Sequence, residues 1–515
     1  MYLRDTAERP SALLPLLERR LNSILPWLLF AGILLVCTRP FRSELSWMVF
    51  VQDDFFYYLK VAQNFAHGAG STFNGIVRTN GYHPLWFLLL SILCWFTTSP
   101  KLILGFIAFV AFLASVLTYF CSLQLIASTG IRKLTAIVLA SWITLYSLRL
   151  FFYGMEVTLA LPLSLAVICL IRNEAFWLRG WKQSFLVGLV ISTMILSRLD
   201  TIILAGLIVV FACVQRELRE QIRGEHLAGL ALGLLPLAVY FFLNHSFFHV
   251  WVPISGLAKQ LKFNHRPTPE VWQGLYLYKP SFLAVFLPVP LGIVLYPLAA
   301  KNFSAIQRTL YPAALLFPLV YFLVLCCLSD WNIWPWYMYA LRPSVCIAFV
   351  VFCSWRPLAR IIENGVVTSV LLVVMIVALV TSQWRIQEPE LYSAAVDIQQ
   401  FSLTHSGTYA MGDRAGRVGY LVHQPMIQLE GLVMDRTFLG YIQRQVPLRT
   451  VLDAYGVRYY IATETAPYSG CFKAVEPYQA GPDSPHMLGE FCEKPVAVIK
   501  GGGPIFDLHP DRAAR

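Results

Sequence analysis

Charge is what this sequence lacks. Of its 515 residues only 13% are Asp, Glu, Lys or Arg, against 57% hydrophobic, and the mean hydropathy is +0.60. A chain so poor in charge is not a soluble globular protein, and its repeated apolar runs of about 17–25 residues have the length of bilayer-crossing helices. No small-residue cleavage site follows the first apolar segment and more spans come after it, so a cleaved secretory leader is not expected. Metal-ligand spacing, a P-loop and a dinucleotide glycine motif are all missing. No cofactor is therefore expected; a divalent ion is left open without being indicated. Nucleic acid is a poor partner, because there is no basic aromatic patch or known binding motif. Of eleven cysteines, nine lie in or beside apolar runs, where cysteine behaves as a small hydrophobe. Only Cys471 and Cys492 fall in the polar C-terminal region, where they can pair if that region is extracytoplasmic.

The charge that is present sorts by side. The net charge of +11 suits anionic lipid head groups or phosphate. Arg4, Arg9, Arg19 and Arg20 mark residues 1–21 as a cytoplasmic leader, and the first span is 22–38. Residues 84–97 are short for a crossing. Counted as a span, they would put Arg132, Lys133, Arg172, Arg179, Lys182, Arg216, Arg219 and Arg223 outside. Laid at the interface, they put all of these inside, as the positive-inside rule requires. The remaining spans are then 102–126, 134–151, 156–171, 183–197, 200–214, 227–243, 281–298, 309–327, 343–354 and 365–383, about eleven in all. The expected fold is a polytopic α-helical membrane domain (22–383) with a first outer loop at 39–101. It is followed by an extracytoplasmic α/β domain (384–515) with strands at Thr408–Met411, Met426–Leu429 and Arg458–Ala462 and helices near 388–403, 414–422 and 447–455.

This layout gathers the unusual polar motifs on the outer side. Asp53 and Asp54 open an aromatic helical run after the first span. One aspartate serves as a helix N-cap; two adjacent ones call for more. As a general base, one carboxylate takes the proton of an acceptor hydroxyl, and its like-charged neighbour raises its pKa; Asp53 is the preferred base. A phosphate leaving group departs without protonation, so no second carboxylate is needed, unlike in glycoside hydrolysis. Arg78, His83, Lys259 and Arg342 are candidates to grip a phosphate, while Lys262 and Arg266 read as snorkelling to lipid head groups. Glu156 and Asp200 stand at outer span boundaries, where acids are costly unless they line a polar cavity, although Asp200 has Arg198 as a ready partner. Trp331, Trp334, Trp336, Tyr337 and Tyr339 form an interfacial belt, or a sugar-stacking surface. Gly412-Asp413-Arg414-Ala415-Gly416-Arg417 follows a strand and opens a helix, a weak phosphate-binding signal.

Over about 35 residues the first loop resembles the GT-C superfamily of polytopic glycosyltransferases, most closely its bacterial arabinofuranosyltransferase-type members. The matching string is Asp53-Asp54-x-Phe56, Lys60-x-Ala62-x-Asn64, Gly68-x-Gly70-x-x-Phe73-Asn74 and Gly81-Tyr82-x-Pro84-Leu85-Trp86. Aminoarabinose and protein O-mannosyl transferases share the architecture more distantly. The resemblance implies a catalytic aspartate at Asp53 or Asp54, an acidic site residue near Glu156, and a donor-phosphate contact where a basic residue precedes proline. Here that residue is His83, where several relatives have lysine.

The expected activity is transfer, with inversion, of a sugar (arabinofuranose, or mannose or another hexose) from a polyprenyl-phosphate donor. The acceptor is a hydroxyl of a surface glycan, lipid or exported protein. The expected place is the bacterial cytoplasmic membrane, N-terminus inside and C-terminal domain outside. The rival is a lipid or glycolipid transporter or flippase. It requires inverted repeats and ionisable residues within spans, which are nearly missing here.

Overall fold

The computed structural model describes residues 13–38, 41, 51–262, 287–329, 331–381 and 389–509. Every expected span is helical where it is described. Helix α1 (Leu13–Thr38) is followed by α2 (Asp53–Ala66), α3 (Pro84–Phe96), α4 (Pro100–Ala127), α5 (Lys133–Phe151), α6 (Val157–Arg172), α7 (Trp181–Ser197) and α8 (Ile202–Val214). Next come α9 (Gly224–Gly233), α10 (Leu235–Phe248), α11 (Ile254–Ala258), α12 (Pro288–Ala299), α13 (Ala305–Leu328), α14 (Leu341–Ser354), α15 (Arg356–Ile362) and α16 (Gly365–Thr381). The start of the expected span 281–298 lies outside the described residues. Helix starts follow local chemistry: proline opens α3 and α4, and Ser304 with Gln307 forms a capping box at α13.

Five of the described helical segments are long and apolar enough to cross a membrane, and two bent pairs, α9 with α10 (43°) and α15 with α16 (62°), bring the number to seven. Four further apolar helical segments, among them α6 and α7, are shorter. The expectation of about eleven full-length crossings is thus not matched by length alone.

The polar ends of the bundle form two groups. In one, Arg132 meets Glu18 at 2.7 Å and its backbone N–H donates to Glu363, Arg308 meets Glu217 at 3.0 Å, and Ser304 donates to Glu174. These are the ends that charge parity assigned to one side. In the other, Gln52 N–H donates to the Tyr153 carbonyl and Asn80 to Asn244, alongside His83, Glu156 and Asp200. Helix α3 packs against α2. Cys37, at the end of α1, donates to the Ala108 carbonyl in the first turns of α4. The end of α1 and the first turns of α4 therefore lie at one level. Helix α4 then runs about 42 Å, at 1.5 Å per residue, toward Arg132.

Beyond α16, α17 (Pro389–Thr404) leads into β1 (Thr408–Met411), α18 (Ala415–Leu421), β2 (Met426–Gln428), α19 (Arg436–Gln443), α20 (Leu448–Ala454) and β3 (Val457–Ile461). The chain continues through β4 (Thr465–Tyr468), β5 (Cys471–Glu476), β6 (Met487–Phe491), β7 (Ala497–Ile499) and β8 (Gly503–Asp507). One sheet has the order β2-β1-β3-β8-β7, with β1 parallel to both neighbours and β8 antiparallel to β3 and β7; β4-β5-β6 form a separate antiparallel sheet. Cys471 and Cys492 are joined by a disulfide across β5 and β6.

The core is divided in a way the chain order does not suggest. One buried cluster fills the helical bundle. A second joins Phe55, Phe56, Tyr57, Phe73 and Trp86 of the first loop to Tyr409, Val418, Ile427 and Leu432 of the C-terminal region. The first loop and the C-terminal α/β unit thus share one hydrophobic core.

Candidate active site

The two adjacent aspartates at the start of α2 point to different places. Asp53 accepts hydrogen bonds from the backbone N–H groups of Gly416 and Arg417, both at 2.9 Å, one to each carboxylate oxygen. It thereby supplies the anion that the N-terminus of α18 attracts. Gly416 is what permits this approach, since a Cβ there would lie 2.3 Å from the Asp53 carbonyl oxygen. Arg417 returns the contact by donating to the Val51 carbonyl at 3.1 Å. The glycine string at 412–417 therefore does hold an anion, and the anion is Asp53 of the same chain.

Asp54 is half-buried and forms no hydrogen bond or ion pair among the described residues. Burial raises its pKa from 3.8 to about 7; the Lys259 charge opposes the rise, and Asp53, Glu156 and Asp413 add to it. Lys259, just after α11, donates to the Tyr337 hydroxyl at 3.1 Å and stands 5.7 Å from the Trp331 ring centroid.

Beside this pair lies a charged network centred on Arg198. Its guanidinium meets both oxygens of Asp200 through Nε (3.0 and 3.1 Å), binds Glu156 through Nη1, donates to the Tyr321 hydroxyl at 3.3 Å, and lies over the rings of Tyr337 and Tyr339. Asp200 also accepts from Tyr339 at 2.6 Å and from Tyr321 at 3.0 Å. Glu156 is 1% exposed, and its second oxygen, Oε2, has no hydrogen-bond partner among the described residues. A left-handed turn at Gly154 (φ +73°) delivers Glu156 to this position, where any side chain on residue 154 would strike Phe55.

His83, the residue before α3, accepts from the Leu199 backbone N–H through Nδ1 at 3.2 Å, and its Nε2 is 3.8 Å from Glu156 Oε1. Burial lowers its pKa, with Glu156 opposing. A neutral imidazole whose Nδ1 accepts must carry its proton on Nε2, so the ring presents a hydrogen-bond donor toward Glu156.

Asp54, His83, Glu156, Asp200 and Lys259 are therefore brought to one end of the bundle. Arg78 and Arg342 stand outside this network. Arg78 is exposed on a separate groove, and Arg342 is buried against Tyr146, 4.4 Å from its ring centroid. The aromatic belt is also corrected. Trp331 and Trp336 are each 6% exposed and Tyr339 is fully buried, so these rings pack inside and do not face lipid. Lys262 pairs with Asp483 at 3.2 Å instead of reaching to head groups. Arg266 and Asp330 lie outside the described residues.

Sequence reasoning missed Arg198 as the hub, having read it only as a partner for Asp200. It also missed the acids that the C-terminal unit contributes. Glu430 accepts from Gln428 at 3.0 Å and Glu476 from Tyr460 at 3.3 Å, and each leaves one buried oxygen without a partner among the described residues. Burial raises Asp413 to about 6 and Glu476 to about 8. Nothing in their spacing announces this, because the strand order alone brings them near α2. No group of three or more His, Cys, Asp or Glu side chains among the described residues is arranged to hold a metal ion.

The fold resembles those of two solved proteins. ArnT from Cupriavidus metallidurans, solved bound to undecaprenyl phosphate, is similar with a TM-score of 0.52 at 12% identity, over 85% of this chain and 96% of that one. The oligosaccharyltransferase of Archaeoglobus fulgidus, solved tethered to an acceptor peptide containing the NVT sequon, is similar with a TM-score of 0.50 at 13% identity, over 86% of this chain and 69% of that one. At such identities the likeness is one of fold. No family model matches the sequence, and no curated protein matches it.

Proposed function

We propose that the protein is an inverting glycosyltransferase that uses a polyprenyl-phosphate sugar as donor and Asp54 as its base. The observation that carries this is Asp54 itself, an unpaired carboxylate with its pKa raised to about 7, on a GT-C fold, with Lys259 nearby. In the reaction, the acceptor hydroxyl gives its proton to Asp54 and its oxygen attacks the anomeric carbon from the face opposite the phosphate. The bond from that carbon to the phosphate oxygen breaks, and the polyprenyl phosphate leaves with the electron pair. Lys259 neutralises charge on the leaving phosphate, and the Nε2–H of His83 donates a hydrogen bond to it. Arg198, held by Glu156 and Asp200, fixes the wall on which His83 rests and acts as a positioning residue.

Asp53 is a positioning residue as well: its oxygens are committed to α18, and it holds Asp54 in place. The site lies on the outer side of the bacterial cytoplasmic membrane, with the N-terminus inside. The boundaries 22–383 and 384–515 divide the chain into membrane and outer units. The sugar is arabinofuranose or a hexose such as mannose, and the acceptor a glycan, lipid or exported protein.

The test is transfer by purified protein from a set of synthetic polyprenyl-phosphate sugars, with release of polyprenyl phosphate as readout. The wild type consumes one of them, and Asp54→Asn does so 10²–10⁴-fold more slowly, about what a general base contributes. Wild-type rates from Asp54→Asn would overturn the mechanism.

A further inference from the structure

Arg78, which the active site does not use, lines a cavity of about 610 Å³ that nothing above assigns. Three parts of the chain build it: Arg78 and Asn80 from the first loop, Phe247 to Val250 from the end of α10, and Met434 to Arg444 around α19. Asn80 sets the geometry by donating to Asn244 at 2.9 Å and accepting from the Ile254 backbone N–H at 3.1 Å, which ties the α10 end to the first loop.

The lining is basic on one side and apolar on the other. Arg78, Arg436 and Arg444 enter from three separate positions, and none forms an ion pair with a carboxylate among the described residues; Arg444 only stacks on Tyr441 at 5.6 Å. His249 adds an exposed imidazole. The one acid, Asp435, accepts from the Phe438 backbone N–H at 2.9 Å as the cap of α19. Three cations against one committed carboxylate leave the cavity with a net positive charge. Its other wall is Phe247 and Phe248. Phe247 is 64% exposed and continues a stripe along α10 through Leu243, Phe242, Val239 and Leu235, all exposed apolar residues on a helix of the bundle. Such a stripe faces the bilayer, so the cavity joins a lipid-facing surface to a crown of arginines. A soluble anion has no use for the first, and a neutral lipid none for the second.

We infer that this groove binds the phosphate-bearing head of a membrane amphiphile, entering along α10. On the proposed function, on which this role alone rests, that amphiphile is the acceptor. Unpaired arginines supply forked, bidentate donors to phosphate oxygens, and Phe247 meets the first carbons of the chain.

The test measures binding by calorimetry on the detergent-purified full chain, with dioctanoyl phosphatidic acid, dioctanoylglycerol and inorganic pyrophosphate as probes. Phosphatidic acid is expected to bind at least about tenfold more tightly than either other probe, and to weaken at least about tenfold in R78Q/R436Q/R444Q. Should the triple variant be poorly folded, R436Q alone is expected to weaken binding about threefold. Binding within error of wild type in either folded variant overturns the site, and pyrophosphate binding as tightly as phosphatidic acid overturns the membrane-borne occupant. Asp54→Asn is expected to retain full phosphatidic acid binding. A failure of the proposed chemistry would leave these results standing, and a failure here would leave donor consumption intact.

Discussion

Neighbouring aspartates with identical chemistry should fail in opposite ways. Asp53→Ala removes two hydrogen bonds from a carboxylate to the first amides of α18. Bonds to a charged group contribute about 1.5–3 kcal/mol each, so the loss is roughly 3–6 kcal/mol from the contact between the first loop and the C-terminal unit. At about 1.4 kcal/mol per factor of ten, even the lower bound raises the open population about a hundredfold. Asp54→Asn instead removes a charge that burial disfavours and that no partner satisfies, so this contact keeps its strength or gains. Limited proteolysis of the detergent-purified protein reads the open population when opening is fast relative to cleavage. Asp53→Ala should be cut between the membrane and C-terminal units about a hundredfold faster, and Asp54→Asn at the wild-type rate while losing turnover. The reasoning is refuted if Asp53→Ala resists protease like wild type yet loses turnover, and Asp54→Asn still transfers sugar.

Turnover should rise with pH through about 7 and level off above it, since the base works only when ionised and burial has raised its pKa to about 7. Lys259→Met removes the opposing cation, so the midpoint of that limb should move upward in a pH–rate profile. Glu476 is held protonated when folded, its pKa raised from 4.5 to about 8. Its contribution to stability is complete below about 4.5 and is lost as pH rises through about 8. Glu476→Gln should therefore flatten the alkaline decline in thermal midpoint. Gly81→Ala would place a Cβ 1.9 Å from the Leu432 carbonyl oxygen, a backbone clash that no rotamer relieves, and should reproduce the protease sensitivity of Asp53→Ala.

Much of this was legible in the sequence. Apolar runs located the helices, and the run at 84–97 forms α3, a helix shorter than a full crossing. Strands β1, β2 and β3 emerged from short apolar stretches, and Cys471 and Cys492 pair where their polar surroundings suggested. Strands β4 to β8 did not emerge: β4, β6 and β8 contain glycine or proline, and all five gain their order from neighbours instead of periodicity. The choice between Asp53 and Asp54 was equally hidden. It depends on where α18 lands, 363 residues further on, and local reasoning preferred the residue that turns out to be occupied. Arg198 was visible as a charge but not as a hub, because Glu156, Tyr321 and Tyr339 reach it from three other elements.

The bond between Asp53 and α18 also orders events in time. The helix bearing the proposed base leaves the ribosome early, but its anchor is among the last segments made. A chain stopped before α18, or one whose C-terminal unit has not yet folded, lacks the two bonds that hold Asp53, the neighbour of Asp54. On the proposed function, such an unfinished molecule would be unable to use its donor. Catalytic competence then waits for α18, made more than three hundred and fifty residues after the helix it anchors.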